Sequence, residues 1–284
     1  MSVYKNFWRF AVAVACISSA SMAVADVLTK VRDSGKLTLG YREDAEPFSF
    51  INAQGVPAGY SIMLCQAVAK FVKTELKLPK LEVIYEPVNS ANRFKALEEG
   101  KIDILCGATT ATLSRRKIVD FSIPTFVTGA TVMVRRDGPQ NMQEMNGKKI
   151  GVLAATTTAK GLLKVLQRTG VNAEVIPVSS HGEGFEKLKK GELSAYFGDK
   201  AILFTLFRRN QQDGDIGISS KLFSIEPYAL ALPHGDSAFR LAIDTALSKT
   251  YRSPEMQKIY TSAFGNEPLG DLLQALYAVN ALPD

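Results

Sequence analysis

The chain has 284 residues, 46 % apolar and 22 % charged, an ordinary globular balance with enough length for two packed lobes. Its 34 basic and 28 acidic residues leave a formal charge of +6, scattered along the chain, which excludes a nucleic-acid-binding stripe. No run of 18 or more apolar residues exists, so no segment reads as a membrane-spanning helix.

The first 25 residues differ from the rest. Lys5 and Arg9 make a positive start, Phe10 to Ala20 is a short apolar run, and Ala23-Val24-Ala25 supplies small residues at the positions a signal peptidase reads. Residues 1–25 therefore read as a cleaved secretory signal, with Asp26 as the mature N-terminus. Cys16 suggests a lipoprotein anchor, but Arg9 lies close upstream and Ala13 stands where leucine is usual. Cleavage before Asp26 removes two positive charges and no acid, leaving 32 basic against 28 acidic residues and a charge of +4. The mature chain keeps Cys65 and Cys106, and an oxidising compartment permits either a disulfide or two buried thiols. The two histidines, His181 and His234, and these cysteines show no metal-ligand spacing, which excludes a structural zinc site.

Short apolar runs then alternate with helical patterns. Residues 36–41 read as a strand. Leu64, Val68 and Phe71 share a helical face with Cys65, Val72 and Leu76 beside them, and Leu78-Pro79 ends that helix. Residues 81–85 read as a strand, 92–99 as a helix stopped by Gly100, and 102–106 as a strand. The order then restarts: strand 149–153, helix 157–168, strand 174–178, helix 184–190, strand 194–197, and a helix from Lys200. A strand at 228–232 and a helix carrying Phe239, Ile243, Ala246 and Leu247 follow, and Ser253-Pro254 caps a final helix. Two β-α-β-α-β series imply an α/β protein of two units, each on a mostly parallel sheet.

Ligands of such sheets bind at the carboxyl ends of strands. Arg42 follows the first strand; Ser90 and Arg93 follow the second; Ala108, Thr110 and Arg115 follow the third. A guanidinium grips a carboxylate through parallel hydrogen bonds. One such arginine is more often a solvated surface group, but three in post-strand loops point to an anion site. In the second unit Thr156, Thr157 and Thr158 open a helix, whose free N–H groups and hydroxyls make a seat for a carboxylate or a plain N-cap. His181 opens the next helix, and Asp199, after the strand 194–197, either caps its helix or holds an ammonium group.

These runs resemble the family 3 extracellular solute-binding proteins. The resemblance rests on Pro47-Phe48-Ser49-Phe50, Gly59-Tyr60, Gly100-Lys101-Ile102-Asp103, Thr109-Thr110, Arg115, Asp120-Phe121-Ser122-Ile123-Pro124 and Gly147-Lys148-Lys149-Ile150-Gly151-Val152, and it spans residues 27–265. The glutamate/aspartate-binding subgroup is the most similar, through Gly40-Tyr41-Arg42-Glu43, Ser90-Ala91-Asn92-Arg93, Cys106-Gly107-Ala108 and His181-Gly182-Glu183-Gly184-Phe185. The resemblance implies a two-lobed periplasmic-binding-protein fold (type II) with the ligand cleft between the lobes. It places Arg115, Thr110 and Thr157 on an α-carboxylate, Asp199 and the Ala108 backbone on an α-ammonium, and Arg42, Ser90, Arg93 and His181 around a side-chain carboxylate. Ala108 departs from the usual serine, Thr156 from a glycine, and Lys200 from a second acid.

The expected architecture is one lobe of residues 26–127 and 228–284 and another of 128–227, joined by crossings near 127–129 and 226–228. The expected role is a periplasmic, monomeric, non-enzymatic receptor, without a cofactor, for glutamate or aspartate, serving an ABC permease of the inner membrane. The rivals are a cyclohexadienyl or arogenate dehydratase-like enzyme on the same fold and a sensory ligand-binding module. Mass spectrometry of the protein from its own cell envelope is expected to give Asp26 as the first residue; an intact Met1 or a lipidated Cys16 refutes the export signal.

Overall fold

The computed structural model describes residues 26–210 and 215–283. The proposed signal segment and Cys16 lie outside the described residues. Two five-stranded sheets organise the chain. In the first, Glu82–Pro87, Lys36–Tyr41 and Ile104–Cys106 run parallel, and Ala231–Pro233 and Val119–Phe121 complete the order. The second has the same plan: Glu174–Val178, Lys149–Leu153 and Ala195–Asp199 are parallel, followed by Ala130–Arg135 and Ile216–Ile218. In each sheet the fourth strand is antiparallel to both neighbours.

The strands form where apolar runs meet helices on both faces. Leu37, Leu39 and Ile104 of the first sheet pack with Leu64, Val68 and Val72 of helix Tyr60–Glu75 and with Ile243 and Leu247 of helix Ser237–Tyr251. In the second, Ile150, Val152 and Phe197 pack with Leu162 and Leu166 of helix Thr157–Thr169. On its other face Leu153, Val178 and Tyr196 pack with Phe185 and Leu188 of helix His181–Lys189.

Two antiparallel strands, Phe126–Thr128 and Glu226–Tyr228, carry the chain between the sheets. Under them Phe48 sits 4.9 Å from the Phe126 ring and 5.0 Å from Tyr228, edge on. Gly59 is required beside this cluster: its φ is +121°, and a Cβ there would lie 2.5 Å from the Phe48 carbonyl oxygen.

Several boundaries differ from the sequence reading. The expected strand at 228–232 is two strands, because Glu226–Tyr228 pairs with the other crossing while Ala231–Pro233 enters the first sheet. The helix expected at 184–190, with His181 read as opening it, runs over His181–Lys189, where the Ser180 hydroxyl accepts from the Glu183 N–H. Ser253 does cap helix Pro254–Phe264, but a further helix, Asp271–Asn280, follows and places the Tyr277 hydroxyl 2.6 Å from that of Tyr60. Helix Val27–Ser34 and a small antiparallel sheet of Asp44–Ala45, Ser49–Ile51 and Pro57–Ala58 were not anticipated.

Cys65 and Cys106 form a disulfide, with Cα atoms 6.2 Å apart, that ties helix Tyr60–Glu75 to the end of strand Ile104–Cys106. It closes a sequence separation of 41 residues. Replacing both cysteines by alanine is expected to lower stability by about 2–4 kcal/mol in urea unfolding of the oxidised protein. An unchanged midpoint would mean that no bridge forms.

Candidate functional site

Strand register decides which loops meet. In the first sheet Tyr41 pairs with both Pro87 and Cys106, so three parallel strands end at one edge. The residues that follow, Arg42, the loop leading to Arg93, and Gly107-Ala108, leave from that edge together. In the second sheet Leu153 pairs with Val178 and Val152 with Phe197, and Thr156-Thr157, His181 and Asp199 follow from a matching edge. The two edges face each other. Arg42, Arg93, Ala108, Thr110 and Arg115 line one wall of the space between them, and Leu153, Thr156, Thr157, His181, Asp199 and Ile202 line the other. The walls lie so close that the cavity measures about 10 Å³, the room of a single water molecule.

On the first wall three guanidinium groups crowd together. Arg42 is 3 % exposed and Arg93 2 %. Arg93 and Arg115 both lie 5.0 Å from the Phe94 ring centre, within cation–π range of that one ring. Arg115 Nη1 donates to the Thr110 carbonyl oxygen at 2.8 Å. Burial, with Arg115 and Arg42 nearby, brings the Arg93 pKa down to about 9. Its Nε is buried without a hydrogen-bond partner among the described residues. Burial also lowers the pKa of Arg115.

Arg42 differs from the sequence reading, which left its fork free for a ligand. Its Nε and Nη2 both donate to Asp44 Oδ1, at 3.0 and 2.5 Å. Asp44 Oδ2 accepts from the His181 backbone N–H, at 3.1 Å, across the cleft. Burial works against the Asp44 charge, but Arg42 and His181 outweigh it and hold the carboxyl below its ordinary range.

The opposite wall is built from helix starts. Thr156 is the N-cap of helix Thr157–Thr169, its Oγ1 accepting from the Ala159 N–H at 3.1 Å. Ala155 before it has a φ of +58°, an unusual backbone for a residue with a Cβ. The Thr157 hydroxyl donates to Glu226 Oε2 at 2.9 Å, which leaves Thr110 as donor in the 3.1 Å contact between the two threonine hydroxyls. His181 Nδ1 lies 2.9 Å from the Tyr196 hydroxyl. Gly184 makes that approach possible, since a Cβ there would stand 2.2 Å from the Tyr196 ring. Burial, helped by Arg42, pushes the His181 pKa down to about 4, so its ring is neutral near pH 7.

Asp199 ends its strand deep in the cleft. Its Oδ1 and the facing Tyr228 hydroxyl are buried without a hydrogen-bond partner of good geometry among the described residues. Burial, with Glu226 adding repulsion, pushes the Asp199 pKa up to about 7.

Eight of the nine residues singled out from sequence therefore line one cavity. Ser90 is buried but stands off the wall. Asp44, Phe94, Tyr196, Glu226 and Tyr228 belong to the site and were missed. Phe94, Tyr196 and Tyr228 lie in elements that were expected, but nothing in their residue type marks them for the site. Asp44 sits in a loop and Glu226 in the crossing expected near 226–228, and no sequence signal singles out either acid.

Asp199 gives a pH signature. Its folded pKa lies above its ordinary value of 3.8, so the folded, ligand-free protein holds this proton more firmly than the unfolded chain does. Its contribution is therefore full below about pH 4 and is lost as pH rises to about 7. Asp199→Asn removes that loss. The variant is expected to gain stability relative to wild type between pH 4 and pH 8, by a few kcal/mol at most, in denaturant melts at several pH values. A difference that does not vary with pH would place Asp199 in its ordinary range.

The sequence matches the model of the bacterial extracellular solute-binding proteins, family 3, over residues 37–266. It is similar to the L-glutamate/L-aspartate-binding protein of Pseudomonas aeruginosa, with 35 % identity over 260 residues, 88 % of this chain and 85 % of that one. It is also similar to the glutamate/aspartate import solute-binding protein of Escherichia coli, with 29 % identity over 248 residues, 87 % of this chain and 82 % of that one. Among solved structures, an ancestral arginine-binding protein bound to glutamine matches with a TM-score of 0.73 and 31 % identity, over 82 % of this chain and 99 % of its own. With two sheets, a paired crossing and a family match that runs through both, the chain belongs to the bacterial extracellular solute-binding proteins of family 3.

Proposed function

We propose that this chain is the capture subunit of an ABC import system, a receptor and not an enzyme, that closes its lobes on glutamate or aspartate and hands it to a membrane permease. The observation that carries this reading is the charge set of one cleft. Three arginines face a buried carboxylate on the opposite wall, and Arg93 Nε and Asp199 Oδ1 have no hydrogen-bond partner among the described residues. Buried charges are tolerated when each meets a partner. An amino acid supplies an anion and a cation on one carbon, and an acidic one supplies a second anion.

In this reading Arg115, Thr110 and Thr157 hold the α-carboxylate, at the start of helix Thr157–Thr169. Asp199 and the Ala108 carbonyl hold the α-ammonium, whose charge favours the ionised form of Asp199. Arg42, Arg93 and His181 face the side chain, with Ser90 behind them. The moving bodies are residues 26–127 with 228–284, and 128–227. The lobes part to admit an amino acid and close by bending at the paired crossing. Export before Asp26 puts the receptor in the periplasm. The identities with glutamate/aspartate-binding relatives support the acidic ligand.

Titration calorimetry of the twenty amino acids on purified protein is expected to give glutamate or aspartate as the tightest ligand. Arg115→Ala leaves a buried carboxylate unpaired and is expected to cost about 3–5 kcal/mol, more than a hundredfold in affinity. Arg115→Lys weakens binding as well, through loss of the two-pronged contact. Tightest binding of a neutral or basic amino acid overturns the acidic reading, and affinity within about threefold of wild type in Arg115→Ala removes Arg115 from the site.

A further inference from the structure

Asp44 puts a carboxylate of the protein itself on one of the arginines expected to serve the ligand. Its Oδ1 takes two N–H groups of Arg42 and its Oδ2 takes the His181 N–H from the other lobe. Arg42 is buried, and the Asp44 side chain is 24 % exposed, so the pair is only partly screened by water. Arg93 Nε has no hydrogen-bond partner among the described residues, and Asp199 is the carboxylate whose charge favours its ionised form. His181 is neutral near pH 7. Around Arg42 and Arg93 the charged groups are then Asp44, Arg115, which repels Arg93, and Asp199, which attracts it; Asp44 is the one hydrogen-bonded to Arg42.

We propose that Asp44 is a specificity-determining residue: an internal counter-charge on Arg42 that narrows the preference for acidic over amide side chains, so that glutamine and asparagine compete with glutamate and aspartate. The reason is a difference in what each ligand feels. A side-chain carboxylate placed against Arg42 and Arg93 is attracted by two cations and repelled by Asp44. An amide of the same shape carries no net charge and is spared the repulsion. Arg42 also has two of its five N–H groups already engaged, which leaves fewer charge-assisted bonds for a carboxylate to gain. The hydrogen bond to His181 acts on both ligand classes alike, because it joins the lobes whatever lies between them.

This inference rests on the reading that the cleft takes an amino acid with Arg42 and Arg93 at its side-chain end. Calorimetry of glutamate, aspartate, glutamine and asparagine on wild type, Asp44→Asn and Asp44→Ala tests it. Wild type is expected to bind glutamate and glutamine within about a hundredfold of each other. In both variants the glutamate-to-glutamine affinity ratio is expected to rise at least about tenfold, because only the acid loses a repulsion. Asparagine keeps an acceptor for the His181 N–H and alanine does not, so a loss shared by all four ligands is larger in Asp44→Ala and reports the bond between lobes. An unchanged or lower ratio in both variants would show that Asp44 only positions Arg42, and a wild-type ratio well beyond a hundredfold would show that Asp44 does not compete; either result overturns the proposal. If wild type binds neither acids nor amides, the amino-acid reading itself fails.

Discussion

The rest of this structure depends on one constraint: two guanidinium groups and two carboxylates are buried, and a third of each partly buried, around a single cleft. Arg42, Arg93 and Arg115 face Asp199 across a cavity too narrow for bulk solvent, with Asp44 beside Arg42 on the same wall and Glu226 bonded to Thr157. Ionised groups in such a place are strongly destabilised unless paired. Some of these are paired within the chain, Arg42 with Asp44 and Glu226 with the Thr157 and Ser224 hydroxyls. Others respond by shifting: Arg93 falls to about 9, and Asp199 rises to about 7. The site is therefore held in a state of incomplete compensation, which a stability-driven core does not tolerate.

The scaffold makes that state affordable by building each wall on a rigid sheet edge. Parallel strands in register deliver their loops to one place, and helix starts just beyond them place N–H groups at Thr157 and at His181, the latter taken by Asp44. The disulfide between Cys65 and Cys106 holds strand Ile104–Cys106 to its helix two residues before Ala108. Asp103, at the head of the same strand region, is buried and bonds the Thr38 N–H and the Lys30 ammonium, 2.8 and 2.7 Å away. It lies in the run Gly100-Lys101-Ile102-Asp103 and serves the scaffold, not the cleft.

Much of this was legible in the sequence, for reasons that differ by element. Strands Lys149–Leu153 and Glu174–Val178 are apolar runs bounded by turn residues, and their limits come out residue for residue. The positions of Arg42, Arg93 and Asp199 follow from one rule, that post-strand residues of parallel sheets converge. Strand Ala130–Arg135 lies beside the first crossing, and its role as an antiparallel member of the second sheet depends on pairing with residues 60 and more positions away. The Arg42–Asp44 pair was illegible for a similar reason. Two residues apart in a loop, they meet only because Asp44–Ala45 folds back on Ser49–Ile51 and the Ser49 hydroxyl bonds the Arg42 N–H at 2.8 Å. Ser90 shows the reverse: Arg93, three residues on, lines the cleft, and Ser90 does not.

The contacts that cross the cleft indicate how closure and ligand capture are linked on the proposed reading. With the walls together, Thr110 meets Thr157, Asp44 meets His181, and Arg209 of helix Lys200–Arg209 pairs with Glu46 at 2.5 Å. These bonds favour closure by themselves, but each is modest, because open lobes would exchange them for water. Against them stand Arg93 and Asp199, desolvated with the walls together, whose Nε and Oδ1 have no hydrogen-bond partner among the described residues. The two sets oppose each other, so the balance between open and closed forms is set by a small difference. A ligand that meets Arg93 and Asp199 acts on the unfavourable set alone, and it has that effect only in the closed form. Its differential affinity for the closed form is then what shifts the population. Strengthening the bonds between lobes would not improve such a receptor, since it would close without cargo; leaving two buried groups unmatched is what makes closure conditional.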